Sequence, residues 1–326
     1  MIKRFAKQQT SICNMNEHIN ISVIVPIYGV EQYIERCARS LFEQTIKEGI
    51  EYIFVDDCTK DNSITILNKV LDEYPERKAQ VTLLKHEVNR GLPQTRKTGV
   101  LVAKGEYIGH CDSDDWVGLD MYEKMLDYAR KNDYDIVYCD YYYSDGVIKT
   151  PVVQKTNKKL LQGPVWNKIV RRSIYNENKI VYPTANKAED GALMTQLSFF
   201  SKSVGYIPEP LYFYFNNPLS MSRIPSEEEC IKRLNQEKEN TTLRLDFLNR
   251  QGALDSYKSS IIEWKVLTRN NLLPLIGQNK YYKLWLNTYP EINTQFFTDK
   301  GFTIKAKLAF LFQILRIYNM KKKILG

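Results

Sequence analysis

The sequence predicts an α/β fold in which a mostly parallel sheet is flanked by helices and followed by a helical C-terminal region. A continuous run of β-branched residues at 21–25 is typical of a strand that is buried on both faces. Strand and helix patterns then alternate with short connections as far as residue 111, which favours a doubly wound sheet. From residue 227 to about residue 278 the pattern is helical.

The alternating segment divides into elements by the spacing of its apolar residues. After the first strand, Ile34, Cys37 and Leu41 share one face of a helix predicted over about 32–44. The residues Asp61-Asn-Ser63 predict the cap of the next helix, which extends to about residue 74. The other elements predicted from apolar spacing are strands at 52–55, 81–84, 107–111 and 135–143, and helices at 92–104, 121–131 and about 189–201.

Composition and charge exclude several classes of protein. Hydrophobic residues make up 43% of the 326 residues and charged residues 26%, which argues against a disordered or a multi-span membrane protein. The net charge is +8, but seven basic residues and no acidic ones lie between residues 300 and 326. A nucleic-acid-binding core would carry its basic residues across a folded face, so nucleic acid is not expected as a partner.

The cysteines and the N-terminus predict the compartment. The six cysteines form no CxxC pair and match no zinc pattern, so in a chain of this length they indicate thiols in a reducing compartment. The first 20 residues lack the apolar stretch of a signal peptide, and no run of about 20 apolar residues could span a bilayer. We expect the protein in the cytoplasm, either free or peripheral on the inner face of the cytoplasmic membrane.

Carboxylates follow two predicted strands at the sheet edge where α/β proteins bind ligands. Asp56 and Asp57 end the second strand, and Asp112 and Asp114 follow the fourth. Residues two apart on an extended chain point to the same side, so Asp112 and Asp114 can converge. Converging carboxylates suit Mg²⁺ or Mn²⁺, which also binds phosphate oxygens. The alternative role for any one of these residues is a turn or a helix cap, as for Asp61.

Four segments of the chain stand in a fixed order. They are Ser22-Val-Ile-Val-Pro-Ile-Tyr28; Phe54-Val-Asp-Asp57 with Asp61-Asn-Ser63; Asn89-Arg-Gly91 with Arg96 and Gly99; and Asp112-Ser-Asp114-Asp115. In this order and spacing they resemble the motifs of family 2 glycosyltransferases, which are inverting enzymes with the Rossmann-like GT-A fold. The resemblance covers residues 20–225, about two thirds of the chain. One departure is Gly29, where the family usually has Asn.

The resemblance implies a nucleotide-sugar site at the ends of the first strands. The segment from Pro26 to Tyr28 would line the nucleotide pocket, with the aromatic ring near the base. Asp57 resembles the residue that accepts the imide N–H of the nucleobase. Arg96 matches a basic residue that lies near the nucleotide.

The segment Asp112-Ser113-Asp114 resembles the DXD motif of these enzymes. By that resemblance Asp112 is directed toward the ribose, and Ser113 belongs to the nucleotide-sugar site. Asp114 would bind the metal directly, so Mg²⁺ or Mn²⁺ is the expected cofactor.

Ala188-Glu189-Asp190 resembles the family's ED motif, in which the Asp is the catalytic base. An inverting displacement needs a base that accepts the proton of the acceptor hydroxyl, opposite the leaving group. Asp190 is the expected base, and Glu189 is expected to orient the acceptor or its loop. The structural alternative for the pair is an acidic first turn of a helix, which the macrodipole favours.

Two further residues are candidates for the acceptor or the diphosphate. Trp166 precedes the ED motif and is expected either to stack on a sugar or to lie in the core. Arg223 follows Ser220-Met-Ser222 and would neutralise phosphate charge, or else be a surface arginine. The three histidines are scattered along the chain, and no catalytic histidine is expected.

The C-terminal tail is predicted to be a basic amphipathic helix. Residues 304–325 carry a wide apolar face flanked by lysines, a pattern suited to an anionic membrane surface. Docking on protein is the alternative. The predicted organisation is a leader at 1–20, a GT-A catalytic domain at 21–225 with a nucleotide-binding half (21–118) and an acceptor half (119–225), and a helical region at 226–326.

The sequence therefore predicts an inverting, metal-dependent glycosyltransferase of capsule, lipopolysaccharide or exopolysaccharide assembly. It would move a sugar from a nucleotide-sugar, by resemblance a UDP-sugar, to a hydroxyl of a growing cell-surface glycan or lipid-linked acceptor. A phosphatase or phosphotransferase with an aspartyl nucleophile is the alternative enzyme, although Asp56-Asp57-Cys58 lacks the usual Asp-x-Asp. A dinucleotide oxidoreductase is disfavoured because no G-x-G-x-x-G follows the first strand. The non-enzymatic alternative is an inactive, membrane-tethered scaffold of glycan assembly.

Overall fold

A computed structural model describes residues 2–4, 18–154, 156, 161–216 and 226–315 of the protein. The chain divides into two compact units, Met1–Pro218 and Leu219–Gly326. All the described strands lie in the first unit, and the described part of the second unit is helical. The domain bounds expected from the sequence, with a boundary after residue 225, stay a prediction.

The first unit alternates strands with helices, as the sequence predicts. Its described strands are β1 (Ile2–Arg4), β2 (Ile21–Ile27), β3 (Ile50–Asp56), β4 (Val81–His86), β5 (Tyr107–His110), β6 (Trp116–Val117), β7 (Ile136–Ser144), β8 (Lys149–Val152), β9 (Lys168–Arg171) and β10 (Val204–Phe215). Its described helices are α1 (Ile34–Phe42), α2 (Ser63–Asp72), α3 (Leu92–Val102), α4 (Met121–Asn132), α5 (Arg172–Glu177) and α6 (Glu189–Phe200).

The ten described strands form one sheet in the order β1-β4-β3-β2-β5-β9-β7-β10-β6, with β8 beside β7. Strands β4, β3, β2 and β5 are parallel, as expected for strands joined by crossover helices. Beyond β5 the directions mix, because β9 runs antiparallel to both β5 and β7 while β10 is parallel to β7. The expectation of a mostly parallel sheet therefore holds for strands β2 to β5, and the rest of the sheet is mixed.

Both faces of the parallel strands are covered by helices. Strand β2 is buried along its whole length, which explains its continuous apolar sequence. Val23 and Val25 point to one face and pack in a cluster with Leu41 of α1. Ile24 points to the other face and packs in a second cluster with Leu197 of α6.

The strand register brings the candidate residues to one edge of the sheet. Ile27 at the end of β2 pairs with Asp56 at the end of β3, and Asp56 pairs with Lys85 near the end of β4. On the other side of β2, Ile24 pairs with His110 at the end of β5. The segments that follow β2, β3, β4 and β5 therefore emerge side by side.

The second unit is built from α7 (Glu227–Arg250), α8 (Lys258–Asn270), α9 (Asn279–Asn287), α10 (Ile292–Thr298) and α11 (Ile304–Ile314). Its core contains Trp285, Phe296 and Phe310. The continuous helical pattern predicted over 227–278 is broken after α7, because the chain reverses through Gly252, which has a φ of +64°. That left-handed backbone conformation favours glycine and ends the helix.

The amphipathic helix predicted over 304–325 is described from 304 to 315, and its remaining residues lie outside the described part of the chain. Phe310 is buried and stacks on Phe296 with ring centroids 4.4 Å apart, so this face of α11 docks on the helical unit. Gln313, which the pattern assigns to the polar stripe, is buried as well. Ile304 and Leu308 remain exposed. Of the helices described, none has the length and apolar character needed to cross a bilayer.

Arg77 binds the end of α1 and the loop that connects it to β3. It lies in the short 3₁₀ helix that precedes β4 and is 1% exposed. Its guanidinium donates hydrogen bonds to the carbonyl oxygens of Phe42 (2.9 Å), Gln44 (2.8 Å) and Ile46 (3.1 Å). One charged side chain thus satisfies carbonyl groups at the end of α1 and in the following loop.

We expect Arg77→Met to lower the free energy of unfolding by about 3 kcal/mol, because buried carbonyl groups would lose a charged donor. Chemical denaturation followed by circular dichroism measures this change. Arg39→Met is the matched control, since it removes an arginine whose ion pair with Glu73 (2.7 Å) is partly exposed, and it should change stability little. Equal losses in the two variants would contradict the assigned role of Arg77.

Candidate active site

Arg96 lies at the centre of a cluster of three carboxylates. It extends from α3 and is 2% exposed. Its Nη1 donates to Asp190 Oδ1 at 2.5 Å and to Glu189 Oε1 at 3.3 Å, and its Nη2 donates to Asp112 Oδ1 at 2.7 Å. The structure thus brings together four of the residues singled out in the sequence, from α3, the end of β5 and the first turn of α6.

The acidic pair at the start of α6 is held rigidly. Ala188 precedes the helix in a left-handed conformation with a φ of +62°. Asp190 Oδ2 accepts a hydrogen bond from the amide of Val165 at 3.2 Å, while Arg96 binds its other oxygen. Asp190 therefore lies in the acidic first turn of a helix, as one of the two predicted roles requires, and its carboxylate also has a fixed orientation.

Burial shifts the pKa values of the groups in and beside this cluster. It raises the pKa of Asp190, although Arg96 opposes the shift. Burial, followed by the charge of Asp190, raises the pKa of Glu189 to about 8. Burial also lowers the pKa of Lys168 to about 8, with Asp190 acting in the opposite direction. Carboxyl groups with raised pKa values are suited to accepting a proton near neutral pH.

The segment after β5 is anchored by β10. The amide of Asp112 donates to the hydroxyl of Tyr212 at 3.1 Å, and that hydroxyl donates to Asp115 Oδ2 at 2.7 Å. The amide of Phe215 donates to the other oxygen of Asp115 at 2.7 Å. Asp115 is 1% exposed, and its burial raises its pKa well above the usual value. Asp115 therefore connects the segment after β5 to β10 inside the protein.

Asp114 is the residue of this segment expected to bind a metal. It is partly buried, and its carbonyl oxygen accepts a hydrogen bond from Arg36 Nη2 at 2.9 Å. The Arg36 guanidinium in turn lies over the Trp116 ring, 3.8 Å from its centroid. Ser113, between the two acids, is buried. The backbone of the predicted DXD segment is thus fixed on both sides.

The donor set fits a cation that completes its coordination with phosphate oxygens. In the described parts of the chain, no three His, Cys, Asp or Glu side chains are arranged to enclose a metal. Asp112 Oδ1 is engaged by Arg96, so Asp114 would be the principal carboxylate ligand of such a cation. Mg²⁺ and Mn²⁺ bind nucleotides in this way, through one or two carboxylates and the substrate phosphates.

The loop after β2 contains the candidate residues expected at the nucleotide. Pro26 lies within the buried strand, and Tyr28 is 56% exposed beyond it. Gly29 has a φ of +67°, and its amide donates to Thr59 Oγ1 at 2.9 Å. Asn also tolerates this conformation, so glycine at the position preserves the loop geometry.

Asp61 precedes Asn62, the N-cap residue of α2, and its carboxylate binds both the start of that helix and the loop after β2. Its Oδ1 accepts from the amide of Ser63 at 3.1 Å at the start of α2. Its Oδ2 accepts from the amide of Glu31 at 2.9 Å, in the loop after β2. Burial acts to raise the pKa of Asp61, but hydrogen bonds from Ser63 and Thr59 outweigh it and the pKa is lowered.

Asp57 is held more tightly than its sequence position indicated. Its Oδ1 accepts from His86 Nδ1 at 2.7 Å and from the amide of Arg90 at 2.8 Å. Its Oδ2 accepts from the amide of Gly91 at 2.8 Å. Gly91 has a φ of +82°, and a Cβ atom there would lie 2.7 Å from Asn186 Oδ1, so the loop requires glycine.

Trp166 does not join the cluster, and a second candidate lies outside the described residues. Trp166 is 6% exposed and stacks on Tyr212 and Tyr214, with centroids 4.3 Å and 5.5 Å apart. This burial fits the core role of its two predicted roles, because a ring that stacks on a sugar must be accessible. Arg223 lies outside the described residues, so its role stays a prediction.

Sequence reasoning missed three residues of the site. His86 ends β4 beside Asp57, and the strand-end rule that identified Asp57 applies to it equally. Lys168 stands in the segment with Trp166, and Asp115 in the DXD segment, but neither was given a role. Their contribution depends on burial, which the sequence did not show.

Comparisons with known proteins identify a family. The profile of the family described as "Glycosyl transferase family 2" matches residues 22–188. The chain is 29% identical to the "Uncharacterized glycosyltransferase EpsJ" of Bacillus subtilis (strain 168), over 79% of this chain and 77% of that protein. It is also 29% identical to the "Poly(ribitol-phosphate) beta-glucosyltransferase" of Bacillus spizizenii, over 76% of this chain but only 42% of that protein.

Solved structures share the fold. S. aureus TarS 1-349, in complex with UDP-GlcNAc, superposes with a TM-score of 0.57 at 19% identity, over 77% of this chain and 81% of that chain. The mannosyltransferase PcManGT from Pyrobaculum calidifontis, in complex with GDP-Man and Mn²⁺, has a TM-score of 0.56 at 15% identity, over 94% and 84% of the two chains. The predicted GT-A fold is confirmed.

The raised pKa of Glu189 predicts a pH-dependent stability. Its pKa in the folded protein lies above that of an unfolded chain, so unfolding releases a proton and becomes easier as the pH rises from about 4.5 to 8. Glu189→Gln removes this effect. We compare the midpoint of thermal unfolding of the variant with that of the wild type at pH 5 and at pH 8. We expect the variant's midpoint minus the wild-type midpoint to be larger at pH 8 than at pH 5. Calorimetric scans at both pH values measure it, and a constant difference would contradict the shift.

Proposed function

Because the chain belongs to glycosyl transferase family 2 and is therefore a glycosyltransferase, we propose that it transfers a sugar from a nucleotide-sugar to a hydroxyl group with inversion. The cluster around Arg96 is the observation that carries this proposal. It joins the residue expected as base, Asp190, to the residue expected at the ribose, Asp112. Family membership favours this reading over the phosphatase alternative and over an inactive scaffold.

Asp190 takes the proton of the acceptor hydroxyl in the proposed reaction. The hydroxyl oxygen bonds to the anomeric carbon, the bond from that carbon to the diphosphate breaks, and the proton passes to the carboxylate. The burial that raises the pKa of Asp190, and its fixed orientation by Arg96 and the amide of Val165, support this role. Glu189 beside it orients the acceptor or the loop.

The donor lies along the strand ends in this proposal. Pro26 and Tyr28 line the pocket of the base, and Asp57 accepts its imide N–H. Asp112 and Ser113 bind the ribose side of the nucleotide. The exposure of Tyr28 and its place after β2, next to the end of β3, support the assignment.

A divalent cation is part of the proposed donor site. Asp114 would hold Mg²⁺ or Mn²⁺ together with the donor phosphates, and the ion would offset the charge of the departing diphosphate. Arg96 carries a second positive charge beside Asp112, the other acid of this segment. Arg223 would add a third contact to the diphosphate.

A growing cell-surface glycan or a lipid-linked saccharide is the proposed acceptor. The name of the Bacillus spizizenii relative, a poly(ribitol-phosphate) glucosyltransferase, supports a polymeric acceptor. The exposed Ile304 and Leu308 are consistent with contact between α11 and an anionic membrane. This contact, and a cytoplasmic location, stay predictions, and failure of the protein to sediment with phosphatidylglycerol vesicles would contradict the contact.

We expect Asp190→Asn to lower kcat by about a thousandfold, because the amide cannot accept the proton. Donor binding, measured by calorimetry, should change little. Glu189→Gln is the matched control, since it alters the neighbouring carboxyl and should affect the KM for the acceptor more than kcat. Turnover of Asp190→Asn near the wild-type rate would contradict the assignment of the base.

Calorimetric titration with uridine, guanosine and thymidine diphosphates, each with and without Mn²⁺, tests the donor site. We expect metal-dependent binding of at least one of them, because Asp114 and the diphosphate would share the cation. Asp114→Ala should weaken binding by about tenfold or more, the effect of losing a charged ligand. Asp120→Ala, which changes a partly exposed acid paired with Lys124, should bind normally. Binding that is equally tight without Mn²⁺ and in Asp114→Ala would contradict this site.

A further inference from the structure

The hydrogen bonds to Asp57 are unequal between its two oxygens. Oδ1 accepts from the ring of His86 at 2.7 Å and from the amide of Arg90 at 2.8 Å. Oδ2 accepts from the amide of Gly91 at 2.8 Å. A carboxylate oxygen has two lone-pair positions, so Oδ1 is fully used and Oδ2 keeps one position.

We propose that His86 restricts Asp57 to a single N–H donor and thereby selects donors whose base is uracil or thymine over those with guanine. Uracil and thymine present one imide N–H, between two carbonyl groups. Guanine presents two adjacent donors, N1–H and the N2 amino group, which would need both carboxylate oxygens. The inference rests on the proposed role of Asp57 at the nucleobase, and it deepens that role by naming the donor class.

His86 is well placed to act as a positioning residue. It is 1% exposed at the end of β4, and its Nε2 lies 2.9 Å from Thr98 Oγ1 on α3. The hydroxyl can donate to or accept from this nitrogen, so Nδ1 can donate to Asp57 in either protonation state of the ring. The imidazole is thus held from both sides, and Oδ1 of Asp57 stays occupied.

The low exposure of Asp57 strengthens the selection. Asp57 is 3% exposed, whereas Tyr28 after β2 is 56% exposed and residues 87–90 after β4 are exposed. A base that enters here meets a carboxylate with one remaining acceptor position. An additional N–H that finds no acceptor would lose its hydrogen bonds to water without replacement.

Two substitutions of His86 separate its two nitrogens. In His86→Asn the side-chain amide reaches the position of Nδ1 and can still donate to Asp57. In His86→Gln the amide reaches the position of Nε2, so it faces Thr98 and leaves Oδ1 of Asp57 without its ring donor. Both variants are neutral amides of the same chemistry, and His86→Asn is therefore the matched control.

The experiment is calorimetric titration of the full chain with uridine, N3-methyluridine and guanosine diphosphates in the presence of Mn²⁺. We expect the wild type and His86→Asn to bind uridine diphosphate at least about tenfold more tightly than the other two nucleotides, the effect of one hydrogen bond to a charged group. In His86→Gln the preference for uridine over guanosine diphosphate should fall by about tenfold. Thermal unfolding shows whether each variant is folded.

The outcomes distinguish this inference from the function on which it rests. If the wild type binds uridine and guanosine diphosphates equally, or if folded His86→Gln keeps the wild-type preference, the role of His86 is overturned and the transferase site stands. If the wild type does not distinguish uridine from N3-methyluridine diphosphate, Asp57 does not accept the imide and the inference fails with it. If no nucleotide binds at all, the proposed donor site itself is contradicted.

Discussion

The buried charge of Arg96 is the constraint on which the rest of the site depends. A guanidinium removed from water is tolerated only with anionic partners, and Arg96 has three of them. Asp112 comes from the end of β5, and Glu189 and Asp190 come from the first turn of α6. The requirement to pair one charge therefore holds the segment after β5 and the start of α6 together. Without Arg96 these carboxylates would repel one another.

Each carboxylate at the sheet edge has its own set of partners, and these sets separate their roles. Asp190 faces Arg96 and one backbone amide, and its burial raises its pKa. Asp115 is fully engaged with β10 and supports the chain on either side. Asp57 accepts from a histidine and two amides, which leaves it one free acceptor position. Residues of the same type thus offer different chemistry because their surroundings differ.

Much of the fold follows from local patterns in the sequence. The apolar run of β2 and the alternation with α1 and α2 predicted parallel strands, and the register of β2 and β3 places their ends together. The mixed directions around β9 were not predicted, because strand pairing there joins segments far apart in the chain. The burial of Gln313 was missed for a similar reason, since docking on the helical unit, and not helical periodicity, decides which face of α11 is covered.

By itself the sequence determined the parallel strands, the position of the carboxylates at their ends and the family to which the chain belongs, because strand periodicity and motif order are written in neighbouring residues. Only the tertiary structure decided which partner each carboxylate has. The contact between Asp57 and His86 spans 29 residues, and that between Arg96 and Asp190 spans 94. Such contacts, and the burial that shifts the pKa of Asp190, exist only once the strands and helices have packed.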